Sequence, residues 1–85
     1  MGVREKMTSL LAMPKEIALN LPLLTATGRE ELNIENYKNL VEFTDTKIRI
    51  HTTAGMLTIE GQRLLLKQIT SEHVLIAGTI HNMHW

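Results

Sequence analysis

The chain has 85 residues, nine Lys plus Arg against nine Asp plus Glu, a formal net charge of zero and no cysteine. A single domain of this size buries only about 60–65% of the surface its unfolded chain exposes, and the missing thiols exclude both a disulfide framework and a thiolate zinc site as supplements to that small core. Balanced charge disfavours nucleic acid as a partner, because a nucleic-acid binder carries a basic surplus, and subunit association is the remaining common device for stabilising so short a chain.

At the N-terminus, Val3, Met7, Leu10 and Leu11 share one face at helical spacing, with Arg4, Glu5 and Lys6 elsewhere on the turn. Pro14 suits the first position of a second short helical piece running to Asn20. The Leu21-Pro22 step then forces extended backbone. Residues 1–22 are therefore expected to form an N-terminal helical segment packing on a sheet. A membrane-surface anchor is the weaker reading, since none of these residues is aromatic. No apolar run approaches the roughly 20 residues of a transmembrane helix, and no signal-peptide stretch is present. Lys6 stands where myristoylation after Met1-Gly2 wants Ser or Thr. A cytoplasmic protein without an integral membrane segment is expected.

From Leu23 the apolar period changes from helical to alternating, and residues 23–85 read as one β domain that, with the N-terminal segment, makes a single domain. The triplets Leu32-Asn33-Ile34, Ile48-Arg49-Ile50 and Leu64-Leu65-Leu66 begin 16 residues apart, and Val41-Glu42-Phe43, Leu57-Thr58-Ile59 and Val74-Leu75-Ile76 begin 16 and then 17 apart. This spacing reads as an internal repeat. Seven short strands are expected: Leu23–Thr27, Glu30–Glu35, Leu40–Thr44, Lys47–Thr52, Met56–Glu60, Arg63–Gln68 and His73–Ile80. Gly28-Arg29, Asp45-Thr46 and Gly61-Gln62 supply turn chemistry between them. Gaps this short favour antiparallel hairpins, because parallel pairing needs a crossover of about a dozen residues. The expected fold is mainly β, an antiparallel meander or small β-roll or sandwich. A short β-solenoid with a 16-residue repeat is the alternative, in which Glu35, His51 and Lys67 would stack.

Alternation also assigns faces. Asn33, Glu35, Glu42, Thr44, Arg49, His51, Thr58 and Glu60 form a polar face opposite the core, and Phe43 is expected in the core with Val41. Leu65, Leu75 and Ala77 break the rule, standing where polar residues are found earlier, so the segment from Arg63 to Ile80 is expected to be covered on both faces. The cover is either the N-terminal helix or a second copy.

The chain carries few residues in patterns that support chemistry. His81 and His84 have the spacing of metal ligands on a helix, but on a strand they diverge, and an exposed C-terminal tail ending in Trp85 is expected. Ser9 and Ser71 lack the context of a nucleophile elbow, and Asp45, the sole aspartate, sits in a turn. Glu30 and Glu31 point to opposite faces of a strand, whereas acid and base partners must converge. No phosphate-cradling glycine motif is present. Tyr37, in a connection between Asn36 and Asn39, is either a partner anchor or packing over the end of the sheet. Neither a catalytic residue, a cofactor site nor a metal site is assigned.

The order of these segments resembles the YabP/YqfC family of sporulation proteins of endospore-forming bacteria, and the YqfC branch more closely. The resemblance covers nearly the whole chain. It is carried by Met13-Pro14-Lys15-Glu16, by Asn20-Leu21-Pro22 with Thr25 and Gly28, by Ile34-Glu35-Asn36-Tyr37 with Leu40, Glu42 and Phe43, by Ile48-Arg49-Ile50 with Thr52 and Gly55, and by Ile59-Glu60-Gly61 and Gly78-Thr79-Ile80. Leu23 departs from the basic residue usual after the Leu-Pro step, and the tail beyond Gly78 is short and unusual. The resemblance implies a non-enzymatic factor of the mother-cell compartment. With the missing catalytic constellation and the apolar third repeat, the resemblance suggests a structural or assembly role through self-association and contacts with other sporulation proteins, with Leu65, Leu75, Ala77 and Tyr37 as candidate interface. A small-ligand or carbohydrate-binding β module is the alternative.

Overall fold

Alternation of aliphatic and polar residues builds the strands, and the polar ends of each run are closed by turns whose side chains replace missing backbone partners. The computed structural model describes residues 19–85, so the expected N-terminal helix lies outside the described residues. Six strands follow in order: β1 (Leu23–Thr27), β2 (Glu31–Glu35), β3 (Asn39–Phe43), β4 (Lys47–Thr52), β5 (Gly55–Ile69) and β6 (His73–His84). They form one sheet ordered β1-β2-β6-β5-β4-β3, antiparallel at every pairing. The mainly β antiparallel expectation is met, and the stacked parallel coils of a solenoid are not. Strands β3 to β6 run as a meander, while the β1–β2 hairpin swings round to pair β2 with β6.

That pairing requires the sheet to curl. Four inter-strand steps separate β2 from β3, about 19 Å in a flat sheet. Yet the chain from Glu35 to Asn39 spans at most about 14 Å. The sheet therefore folds over, bringing β1, β2 and the adjoining halves of β5 and β6 against β3, β4 and the other halves. Between the two inner faces lies one cluster of Leu32, Ile34, Ile48, Ile50, Leu57, Ile59, Leu64, Val74 and Ile76, all buried.

The long β5–β6 hairpin is the hinge of this curl. Its pairing register slips between Glu60 and Gly61, between Gln62 and Leu65 and between Leu66 and Gln68, and such bulges bend and twist a strand. The Gly61 N–H donates to the Thr46 carbonyl at 3.0 Å and the Leu64 N–H to that of Asp45 at 2.8 Å. On the other side, the Gly78 N–H donates to the Glu30 carbonyl at 3.1 Å and the Ile80 N–H to that of Arg29 at 2.7 Å. The β3–β4 and β1–β2 turns thus dock onto the bend from opposite sides. Gly61 permits the close approach of β5 and β6 at the bend, since a Cβ there would lie 2.0 Å from the Thr79 carbonyl oxygen.

Three expectations are corrected. Gly61-Gln62 is a bulge inside one continuous β5 and not a turn between two strands, so the described residues form six strands where seven were expected. Phe43 is 46% exposed. It faces the core side opposite Ile48, but β3 is an edge strand and its bulge between Leu40 and Glu42 leaves Val41 exposed as well. The last strand, expected to end at Ile80, runs on to His84 paired with β5, while residues 81–85 are exposed as expected.

Candidate functional site

Residues directly opposite each other in an antiparallel pair share a face, so the register fixes the outer surface. One row across it reads Thr27, Glu31, Ala77, Leu65, and the next reads Thr25, Asn33, Leu75, Gln68. Leu65, Leu75 and Ala77 therefore converge on the outer face of β5 and β6. Leu65 is 48% exposed, and Leu75 and Ala77 are half-buried. Among the described residues nothing closes over this strip; the N-terminal helix expected as one of its two covers lies outside them.

A salt bridge crosses β6 beside the strip, with Lys67 Nζ 2.8 Å from Glu31 Oε2. The hydrogen bond that Lys67 donates to the Glu31 carboxylate, together with the charge of that carboxylate, holds the Lys67 ammonium pKa above the ordinary lysine value. Over β3 and β4 the outer face is polar: Lys47, Arg49 and His51 of β4 alternate with buried residues, and Arg49 Nη1 meets Glu42 Oε1 at 3.6 Å. His73 is held from both ring nitrogens, Nδ1 by the Thr70 hydroxyl and Nε2 by Gln68 Oε1, each at 3.1 Å.

Tyr37 lies elsewhere. Its ring packs against the core cluster, and its hydroxyl donates to the Thr70 carbonyl. Beside it a cavity of about 420 Å3 is lined by Asn20, Leu23, Glu35, Asn36, Tyr37, Ser71 and Glu72. Asn36 Nδ2 ties this corner together, donating to Asn20 Oδ1 at 3.1 Å and to the Leu21 carbonyl at 3.0 Å. The sequence pattern does not reveal this Asn20–Asn36 link. Its one signal is a pair of asparagines 16 residues apart, and both take the left-handed conformation that asparagine tolerates.

His81 and His84 are both exposed on β6, with His84 opposite Thr58. Among the described residues no three His, Cys, Asp or Glu side chains converge as metal ligands. Nor is any helix among them long and apolar enough to cross a membrane.

Comparison with known proteins gives one family and two relatives. The YabP family model matches residues 21–85. The uncharacterized protein YqfC of Bacillus subtilis (strain 168) is 32% identical over 74 residues, covering 87% of this chain and 80% of that protein. Spore protein YabP of the same strain is 30% identical over 54 residues, covering 64% of this chain and 54% of that protein. The aligned chain thus spans about half of YabP. No solved structure matches.

Proposed function

Because the chain belongs to the YabP family, we propose that it is a sporulation-associated, non-enzymatic structural or assembly factor acting through self-association and protein contacts in the mother-cell cytoplasm. Spore protein YabP, a relative by sequence, supports the process. The observation that carries the contact role is the strip of Leu65, Leu75 and Ala77 on a mostly polar outer face. Exposed leucine beside half-buried leucine and alanine, flanked by the Glu31–Lys67 bridge, has the apolar centre and polar rim of a contact surface. The 16-residue sequence step also reads, in this proposal, as an internal repeat whose last portion acquired the contact face.

Crosslinking and capture from sporulating cells test the role. The Leu65→Glu, Leu75→Glu double variant is expected to keep the fold and lose the partners that the wild type captures. A double variant that retains the same partners removes the strip from the account.

The cavity beside Tyr37 supports a second reading, a small-ligand or carbohydrate-binding module, because Glu35, Glu72, Asn20 and Asn36 offer it polar groups. Hits on a glycan array that disappear in Tyr37→Ala would favour this reading over the first.

A further inference from the structure

Among the described residues, four stretches of strand border the sheet with a neighbour on one side only: β1, β3, the second half of β5 and the second half of β6. Natural proteins blunt such edges with bulges, charges or proline. Three of the four are blunted here. β3 is bulged between Leu40 and Glu42 and carries that glutamate, and the second half of β5 is bulged at the charged Lys67. The second half of β6 slips register opposite Glu60 and Gly61 and carries His81 and His84. β1 has none of these devices. Its five residues, Leu-Leu-Thr-Ala-Thr, pair with β2 without a shift and carry no charge and no proline.

The described residues that lead into β1 also leave that edge open. The Thr53 hydroxyl in the β4–β5 turn donates to the Asn20 carbonyl, and Asn36 holds Asn20 and Leu21. Residues 19–22 therefore reach β1 across the end of the curled sheet and do not run beside its outer edge.

We propose that the β1 edge is where two copies of this chain join, pairing antiparallel about a two-fold axis at Thr25 so that the sheet continues from one copy into the other. This rests on the self-association part of the proposed function and adds its location. The sequence of β1 is self-complementary in that register. Thr25 meets Thr25, Leu24 meets Ala26, and Leu23 meets Thr27. Leu24 and Ala26 share the face of the buried Ile34 and Leu32, so the apolar rows run on across the joint. No like charges oppose each other there. The same operation on β3 would set Glu42 against Leu40 on a bulged strand. A joint between copies leaves the Leu65 strip, two strands away, free for a different partner.

Sedimentation equilibrium of the full-length protein up to ~1 mM is the test, with Thr25→Lys and Thr25→Glu as variants. Thr25 is exposed on the outer face, and either substitution sets like charges directly opposite across the axis. The wild type is expected to be a reversible dimer, each variant alone to weaken association about two- to fivefold, and their equimolar mixture to restore it. Amide exchange in Leu23–Thr27 should slow as wild-type concentration rises. Variants that associate as tightly as the wild type, or β1 amides that exchange equally fast in a dimeric sample, overturn the joint and leave self-association standing. A wild type that stays monomeric throughout overturns both.

Discussion

Replacing Gly78 with alanine should damage the fold far more than the same change at Gly55, although both glycines have similar backbone angles, φ +134° and φ +123°. Alanine in that region costs about 1–3 kcal/mol at either site. Space separates the two. A Cβ at Gly55 meets nothing within 4 Å, whereas at Gly78 it lies 2.6 Å from the Arg63 carbonyl oxygen and 2.9 Å from the Leu64 Cα. Those are backbone atoms of the opposite strand and cannot swing aside. Overpacking of this kind adds about 1–3 kcal/mol, against a total stability of about 4–13 kcal/mol for a chain of this length. The melting temperature of Gly78→Ala should therefore fall ~5–20 °C below that of Gly55→Ala, read by far-UV circular dichroism at one fixed low concentration so that association does not shift the midpoint. A Gly78 variant that does not fold while the Gly55 variant does is the same outcome in stronger form. Equal melting temperatures would refute the close approach of β5 and β6 on which the curl depends.

Ile34→Ala empties a fully buried position and should cost about 2–5 kcal/mol in urea unfolding, while Phe43→Ala, at 46% exposure, should cost under ~1.5 kcal/mol. Equal losses would return Phe43 to the core. Because the Glu31 carboxylate raises the Lys67 pKa in the folded state, the bridge stabilises fully below the unfolded lysine value of about 10.4 and is lost as pH rises through the folded value. The stability difference between wild type and Lys67→Met should accordingly be flat from neutral pH to ~9 and shrink only at more alkaline pH; a change near neutrality would contradict the assignment. For the outer strip, Leu65→Glu with Leu75→Glu should leave the melting temperature within a few degrees of wild type, consistent with partly exposed positions, and a collapse of the fold would show that the strip is core.

Much of the core was legible because one face of each central strand alternates with polar residues. Leu32 and Ile34, or Ile48 and Ile50, admit only one burial pattern once their neighbours are Asn33 and Arg49. The bend of β5 was not legible, because glycine serves turns and bulges alike. At Gly61 the decisive fact is the Thr79 carbonyl from a strand far along the chain. Arg63 takes φ 52°, which no local signal announces for an arginine. Phe43 failed for a related reason: whether a strand lies at the edge depends on the whole pairing order, and the order that inserts β6 between β2 and β5 is nonlocal. At the candidate surface, Leu65, Leu75 and Ala77 were visible as apolar residues out of phase, and the register then placed them together. Tyr37 was visible as a residue but not its separation from that strip, nor the Asn20–Asn36 hydrogen bond beside it. The open edge at β1 could be seen only once the other edges were in place.

The claim that this family member works through protein contacts, its own copy first among them, is tested most directly by light scattering on the full-length protein across a wide concentration range. The account predicts a mass that rises reversibly from one chain to two. A mass fixed at one chain at every concentration would contradict it.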